Sequence, residues 1–156
     1  MTRRTALLAC LPLALLAGCA STVPVEVAPS ATDPVCAQVV LSTPDELASL
    51  HRADTDAQAS TAWGTPQAAI VLRCGVEPLG PTTDRCVTVG TPGGASVDWV
   101  TKPDSPNEGD WTFTTYGRVP AVEVVVPAAV RAEHSTSFLA DLGPAISQTQ
   151  KKRSCL

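Results

Sequence analysis

The N-terminal segment sets the strongest limit on how this chain can fold. Met1-Thr2-Arg3-Arg4 is basic, and Thr5 to Ala17 is an apolar run of 13 residues interrupted only by Pro12. A membrane-spanning helix needs roughly 20 apolar residues, so this stretch is the length of an export signal, not of an anchor. No second stretch reaches membrane length. The chain beyond the signal must therefore fold in water, in an oxidising compartment where cysteines pair.

The apolar run ends in Leu16-Ala17-Gly18-Cys19. Small residues before a cysteine at this place resemble the lipobox of bacterial lipoproteins. The resemblance implies cleavage before Cys19, a diacylglycerol on its thiol, and usually an acyl chain such as palmitate on the new N-terminus. Two or three acyl chains hold a protein firmly to a bilayer, whereas one is marginal. Thr2-Arg3-Arg4-Thr5 partly resembles a twin-arginine signal, with Ala6 in place of the expected large apolar residue, so the export route stays open between the general and twin-arginine systems.

Removal of residues 1–18 takes Arg3, Arg4 and Cys10 with it. The remaining 138 residues carry 9 Lys plus Arg against 15 Asp plus Glu, a formal charge of −6, which argues against a nucleic-acid partner. With Cys19 acylated, Cys36, Cys74, Cys86 and Cys155 are left, enough for two disulfides in one of three connectivities. Cys74–Cys86 and Cys36–Cys155 are the favoured pairs, the first closing a Pro- and Gly-rich loop and the second stapling the domain ends. Loop entropy gives them ~3 and ~5 kcal/mol. A zinc site is disfavoured, because no Cys-x-x-Cys occurs and His51 and His134 are isolated.

The chain divides into three parts: a signal at 1–18, an extended tether at 19–33 reaching at most about 40 Å, and one domain at 34–156. Asp33-Pro34 reads as a helix N-cap with Pro at N1, and the apolar residues to Leu50 suggest two short helical pieces. His51 to Ala62 is polar and Ala-rich, a loop or frayed helix end. Strands are expected at Gln67–Val76, Arg85–Val89, Ser96–Lys102, Trp111–Gly117 and Ala121–Val126, separated by Gly- and Pro-rich turns. From Pro127 a C-terminal helix is expected, broken at Gly143-Pro144. The pattern predicts an α+β domain: one antiparallel sheet of about five strands, helices from both ends on one face, stapled by disulfides. Trp63, Trp99 and Trp111 read as buried packing anchors.

The stretch Ala62-Trp63-Gly64-Thr65-Pro66 through Arg73-Cys74-Gly75-Val76, then Val97-Asp98-Trp99, then Thr114 to Val124 resembles an actinobacterial envelope family called domain of unknown function 3515. The resemblance runs from about Cys36 to Pro127 and includes the signal and lipobox that members often carry. It implies small secreted or lipid-anchored proteins and supplies no catalytic residues. Eight Arg against three Lys, with abundant Ala, Val, Pro and Thr, suits a high-GC actinobacterium.

No hydrolase elbow, phosphate loop, zinc-protease motif or dinucleotide-binding glycine pattern is present. Asp104 to Asp110 gathers oxygen ligands without the spacing of a calcium loop, and reads as an acidic turn. No cofactor and no metal are expected. Polar residues inside strands carry the most information. Arg73, Asp98, Tyr116, Arg118 and Glu123 alternate with apolar neighbours and could share one sheet face, where two guanidiniums, two carboxylates and a phenol could recognise an anionic or carbohydrate-like ligand. Cross-strand ion pairing is the plainer account of the same residues. The expectation is a protein on the outer face of the cell membrane, anchored through Cys19. Its role would be a non-enzymatic accessory or binding one toward an envelope protein or cell-wall ligand. The alternative is a small envelope hydrolase using carboxylates on cell-wall material.

Overall fold

The structure is a computed structural model that describes residues 22–90, 94, 96–103 and 109–156. The apolar N-terminal run expected as an export signal, Cys19 and residues 104–108 of the acidic stretch lie outside these residues.

The expected α+β domain of five strands is not what forms. The fold is mostly β, one antiparallel sheet of eight strands with a few short helices. Chain order gives β1 (Glu46–Leu47), β2 (Leu50–Ala53), β3 (Ser60–Thr65), β4 (Ala68–Val76), β5 (Cys86–Val89), β6 (Val97–Pro103), β7 (Trp111–Thr115), β8 (Arg118–Val119), β9 (Ala121–Val126) and β10 (Gln150–Lys151). The large sheet runs β1-β2-β3-β4-β9-β7-β6-β5, and β8 pairs separately with β10. All five expected strands are present, and β9 has the expected limits.

The three added strands lie where helix and loop were expected, and their signals are weak for physical reasons. Ala48 and Ser49 join β1 to β2 with φ of 51° and 59°. Two consecutive positive φ values suit the tight hairpin that Asn-Gly usually announces, and Ala-Ser does not announce it. In β3, Thr61, Ala62 and Trp63 are all buried, so no alternation marks the strand. Both faces are covered there, which removes the period-2 pattern.

One face of the sheet carries the main core. Trp63, Ile70, Leu72, Val122, Val124 and Trp99 pack there against Cys36, Val39, Val130, Leu139, Leu142 and Ile146. The last six come from α1 (Pro34–Leu41), α2 (Ala128–Glu133), a 3₁₀ segment (Thr136–Leu142) and α3 (Gly143–Ile146). Asp33 caps α1 as expected, its carboxylate accepting the Val35 N–H at 2.8 Å. Inside the core the Trp63 indole donates to the Pro44 carbonyl at 2.9 Å.

The opposite face is partly covered by residues 22–33. This segment, expected as part of an extended tether, is laid along the domain. Val23 bridges Thr55 and is buried with Ala62 and Ala69, while Ala28 and Ala31 pack on Val76 and Ala121. Gly75 makes this possible: it sits at φ +92°, and a Cβ there would lie 2.4 Å from the Ser30 carbonyl carbon. The Ser30 N–H donates to the Gly75 carbonyl at 2.9 Å. Gly75→Ala is expected to cost at least about 2 kcal/mol, from a disfavoured backbone angle plus the clash, measured by urea unfolding. Hydrogen exchange at the Ser30 amide should rise with it.

Both expected disulfide pairings are replaced. Cys36 joins Cys74 and Cys86 joins Cys155, with Cα separations of 5.3 and 6.1 Å. Cys74 points to the core face of β4, where α1 lies, whereas Cys86 is on the edge strand β5. Three strands separate β4 from β5, roughly 19 Å at about 4.8 Å per strand, so no Cys74–Cys86 bond can form. Non-reducing peptide mapping should recover the 36–74 and 86–155 pairs. Spans of 38 and 69 residues predict a loss of about 4 kcal/mol for removal of either bond.

Candidate functional site

The five polar strand residues divide into two groups. Arg73 on β4 faces Glu123 on β9 directly across the ladder, and Glu123 faces Thr114 on β7. All three sit on the face opposite the core. The Arg73 guanidinium donates to Glu123 Oε1 at 2.6 and 3.1 Å, donates to the Glu26 carbonyl at 3.1 Å, and lies 3.7 Å from the Glu26 carboxylate. Side-chain exposures of 22% for Arg73 and 17% for Glu123 make this a half-shielded pair. A hollow of about 330 Å³ opens beside it, under the covering segment 22–33.

Asp98 stands two strands over and two residues along, roughly 12 Å away by strand spacing. It is only 3% exposed. Its carboxylate accepts the Thr88 hydroxyl at 2.7 Å and the Cys155 N–H at 3.2 Å, with Lys151 Nζ at 3.6 Å. Tyr116 is its neighbour through the backbone, donating its N–H to the Asp98 carbonyl at 2.8 Å. Asp98 thus binds the chain's own C-terminal tail.

Arg118 departs from the expected parity. Gly117, at φ +64°, turns the chain after β7, so the alternation of Trp111 to Thr115 does not carry through to residue 118. The Arg118 guanidinium is buried and donates to the carbonyls of Thr149 at 3.0 Å, Ile146 at 3.3 Å and Ser96 at 3.4 Å. It joins the turn that ends α3, where the Ile146 carbonyl also accepts the Thr149 N–H and hydroxyl. Burial lowers its pKa from the ordinary guanidinium value, and the Asp98 carboxylate opposes that shift. The C-terminal tail lies against Gly117, where a Cβ would meet the Arg153 carbonyl oxygen at 2.6 Å.

The arrangement accounts for all five residues as parts of the fold: Arg73 and Glu123 fasten the N-terminal segment, Asp98 and Arg118 the C-terminal one, and Tyr116 joins the second group through its backbone. They do not converge on one pocket. Among the described residues no group of three or more His, Cys, Asp or Glu is placed to hold a metal ion. Asp98→Asn should destabilise the protein by about 2 kcal/mol, because a charged acceptor of several donors is lost from a buried site. Chemical denaturation together with faster exchange of the Cys155 amide checks this.

A different feature stands out on the core face, and sequence reasoning missed it. The helical layer lies over β4 and its neighbours, and its 3₁₀ segment ends the cover near Thr136 and Leu139. Beyond it a recess of about 440 Å³ is lined by Val87 and Val89 of β5, Trp99 and Thr101 of β6, and Trp111 and Phe113 of β7, with Arg85 beside them. Trp99 is a buried packing anchor, as expected, whereas Trp111 is only partly buried against the core, and both line the recess. Trp111 packs 5.9 Å from Phe113, and the Arg131 guanidinium lies 5.3 Å over its ring. The signal in the sequence was the spacing of apolar residues at 87 and 89, then 99, then 111 and 113, which share one face only once the register is known.

No curated protein and no solved structure matches the chain. Residues 6–155 match the family described as "Protein of unknown function (DUF3515)", nearly the whole length, and the chain belongs to that family.

Proposed function

We propose that the protein is an extracytoplasmic lipoprotein of an actinobacterial envelope, anchored through Cys19, with an accessory or binding role. The observation that carries this reading is Cys19 itself. It follows Leu16-Ala17-Gly18 at the end of the apolar run, while the other four cysteines beyond the signal are joined in two disulfides. The family match supports it too, since it begins at Ala6, inside the apolar run. A binding role is favoured over carboxylate catalysis because Glu123 is paired with Arg73 and Asp98 is held by the C-terminal tail.

The anchor sits close to the domain. Val23 is already buried, and it follows Cys19 by four residues, at most about 14 Å of extended chain. The domain is therefore held against the bilayer surface and does not range about 40 Å from it, as a free tether would allow. Metabolic labelling with an alkyne-bearing palmitate is expected to mark the wild-type protein in the membrane fraction. The Cys19→Ser variant should lose the label and keep both disulfides. Label that persists in Cys19→Ser, or an unlabelled wild-type protein free in the medium, would overturn the reading.

A further inference from the structure

The recess on the core face has an unusual balance of donors and acceptors. Among the described residues only three buried side-chain polar atoms lack a hydrogen-bond partner: Thr61 Oγ1, Trp99 Nε1 and Trp111 Nε1. Two of the three belong to tryptophans that line the recess. A buried N–H without an acceptor costs about 1–3 kcal/mol, and such groups in a native fold call for a partner that the chain does not supply. Among the described lining residues two indoles and one guanidinium are donors only, and there is no carboxylate or amide side chain. The hydroxyls of Thr101 and Thr136 are the side-chain acceptors, and neither bonds an indole. The remainder is aliphatic and aromatic.

We propose that this recess is a binding site for a carboxylate with an apolar body. The body would lie on the partly exposed Trp111, Val87 and Val89, over the buried Trp99, Phe113 and Leu139, and the carboxylate would accept from an indole or from Arg85. Among the described residues of the lining Arg85 is the charged one, and it stands on an exposed part of the chain, where an anion can reach it. Residues 19–156 carry a formal charge of −6, and a recess whose described lining has Arg85 and no carboxylate, with Arg131 over the Trp111 ring, favours anions locally. The volume lies within the range of roughly 300–1,000 Å³ typical of small-molecule sites. The proposal extends the binding half of the function proposed above and is independent of the Cys19 anchor, whose own test is the labelling experiment.

The three tryptophans provide the test. In the Cys19→Ser chain, in solution and without an anchor, the indole ¹H–¹⁵N signals are followed during titration with sodium decanoate. Saturable downfield shifts are expected for Trp99 and Trp111, while Trp63, already bonded to Pro44, stays in place. Arg85→Glu, an exposed change, should weaken the effect by about tenfold or more, the loss of one charge-assisted contact. Val87→Phe, which fills the recess, should abolish it with the Trp63 signal unmoved. Absence of a saturable shift in the Cys19→Ser chain overturns the site. Decanol acting as strongly as decanoate, with no response to Arg85→Glu, overturns the assignment of an anion.

Discussion

The pairing of β4 with β9 governs the rest of the molecule. Leu72 faces Val124 and Cys74 faces Val122 on the core side, so Arg73 and Glu123 meet on the other. A shift of one residue would turn every one of these side chains over, placing an ion pair in the core and valines in water. The register is thus held from both faces at once, by apolar burial on one and by a charge-assisted pair on the other. Strands β3 and β7 attach to this centre, and the outer strands attach to them.

Around that centre, the two chain ends act as straps. Residues 22–33 cross the outer face over β3 and β4 and are fixed by Arg73 and Gly75. Residues 150–155 lie by Gly117 and Asp98 and are fixed by the Cys86–Cys155 bond. This explains why a core built largely from Val, Ala and Leu, with few aromatics, needs two disulfides. One ties helix α1 to the central strand, and the other ties the tail to the edge strand. Polar groups that resemble a ligand-binding set are engaged in these attachments. The end of the core face, between β5 and the 3₁₀ segment, is where Trp111 is left only partly covered.

Much of this is legible in the residues alone. Alternation locates β4, β6, β7 and β9, and the parity of Arg73, Asp98 and Glu123 places them on the face opposite the core. The Asp33 cap is readable because a side-chain acceptor followed by Pro has a local mechanism. Three things are not readable. The Ala48-Ser49 hairpin uses residues that carry no turn signal, and β3 is buried on both sides and so shows no period. The disulfides depend on strand order, since Cys74 and Cys86 are near in sequence and three strands apart in the sheet.

The sequence by itself determined the parts that rest on local chemistry: the basic and apolar N-terminal pattern that ends at Cys19, the strand periods and the capped helix. Tertiary structure alone decided which cysteines pair, that the segment after Cys19 lies on the domain, and that Arg118 turns inward to join the turn that ends α3. It also decided that Trp99 and Trp111, twelve residues apart, line one recess. Each of these depends on the order of strands in the sheet, a set of long-range contacts that no local preference encodes.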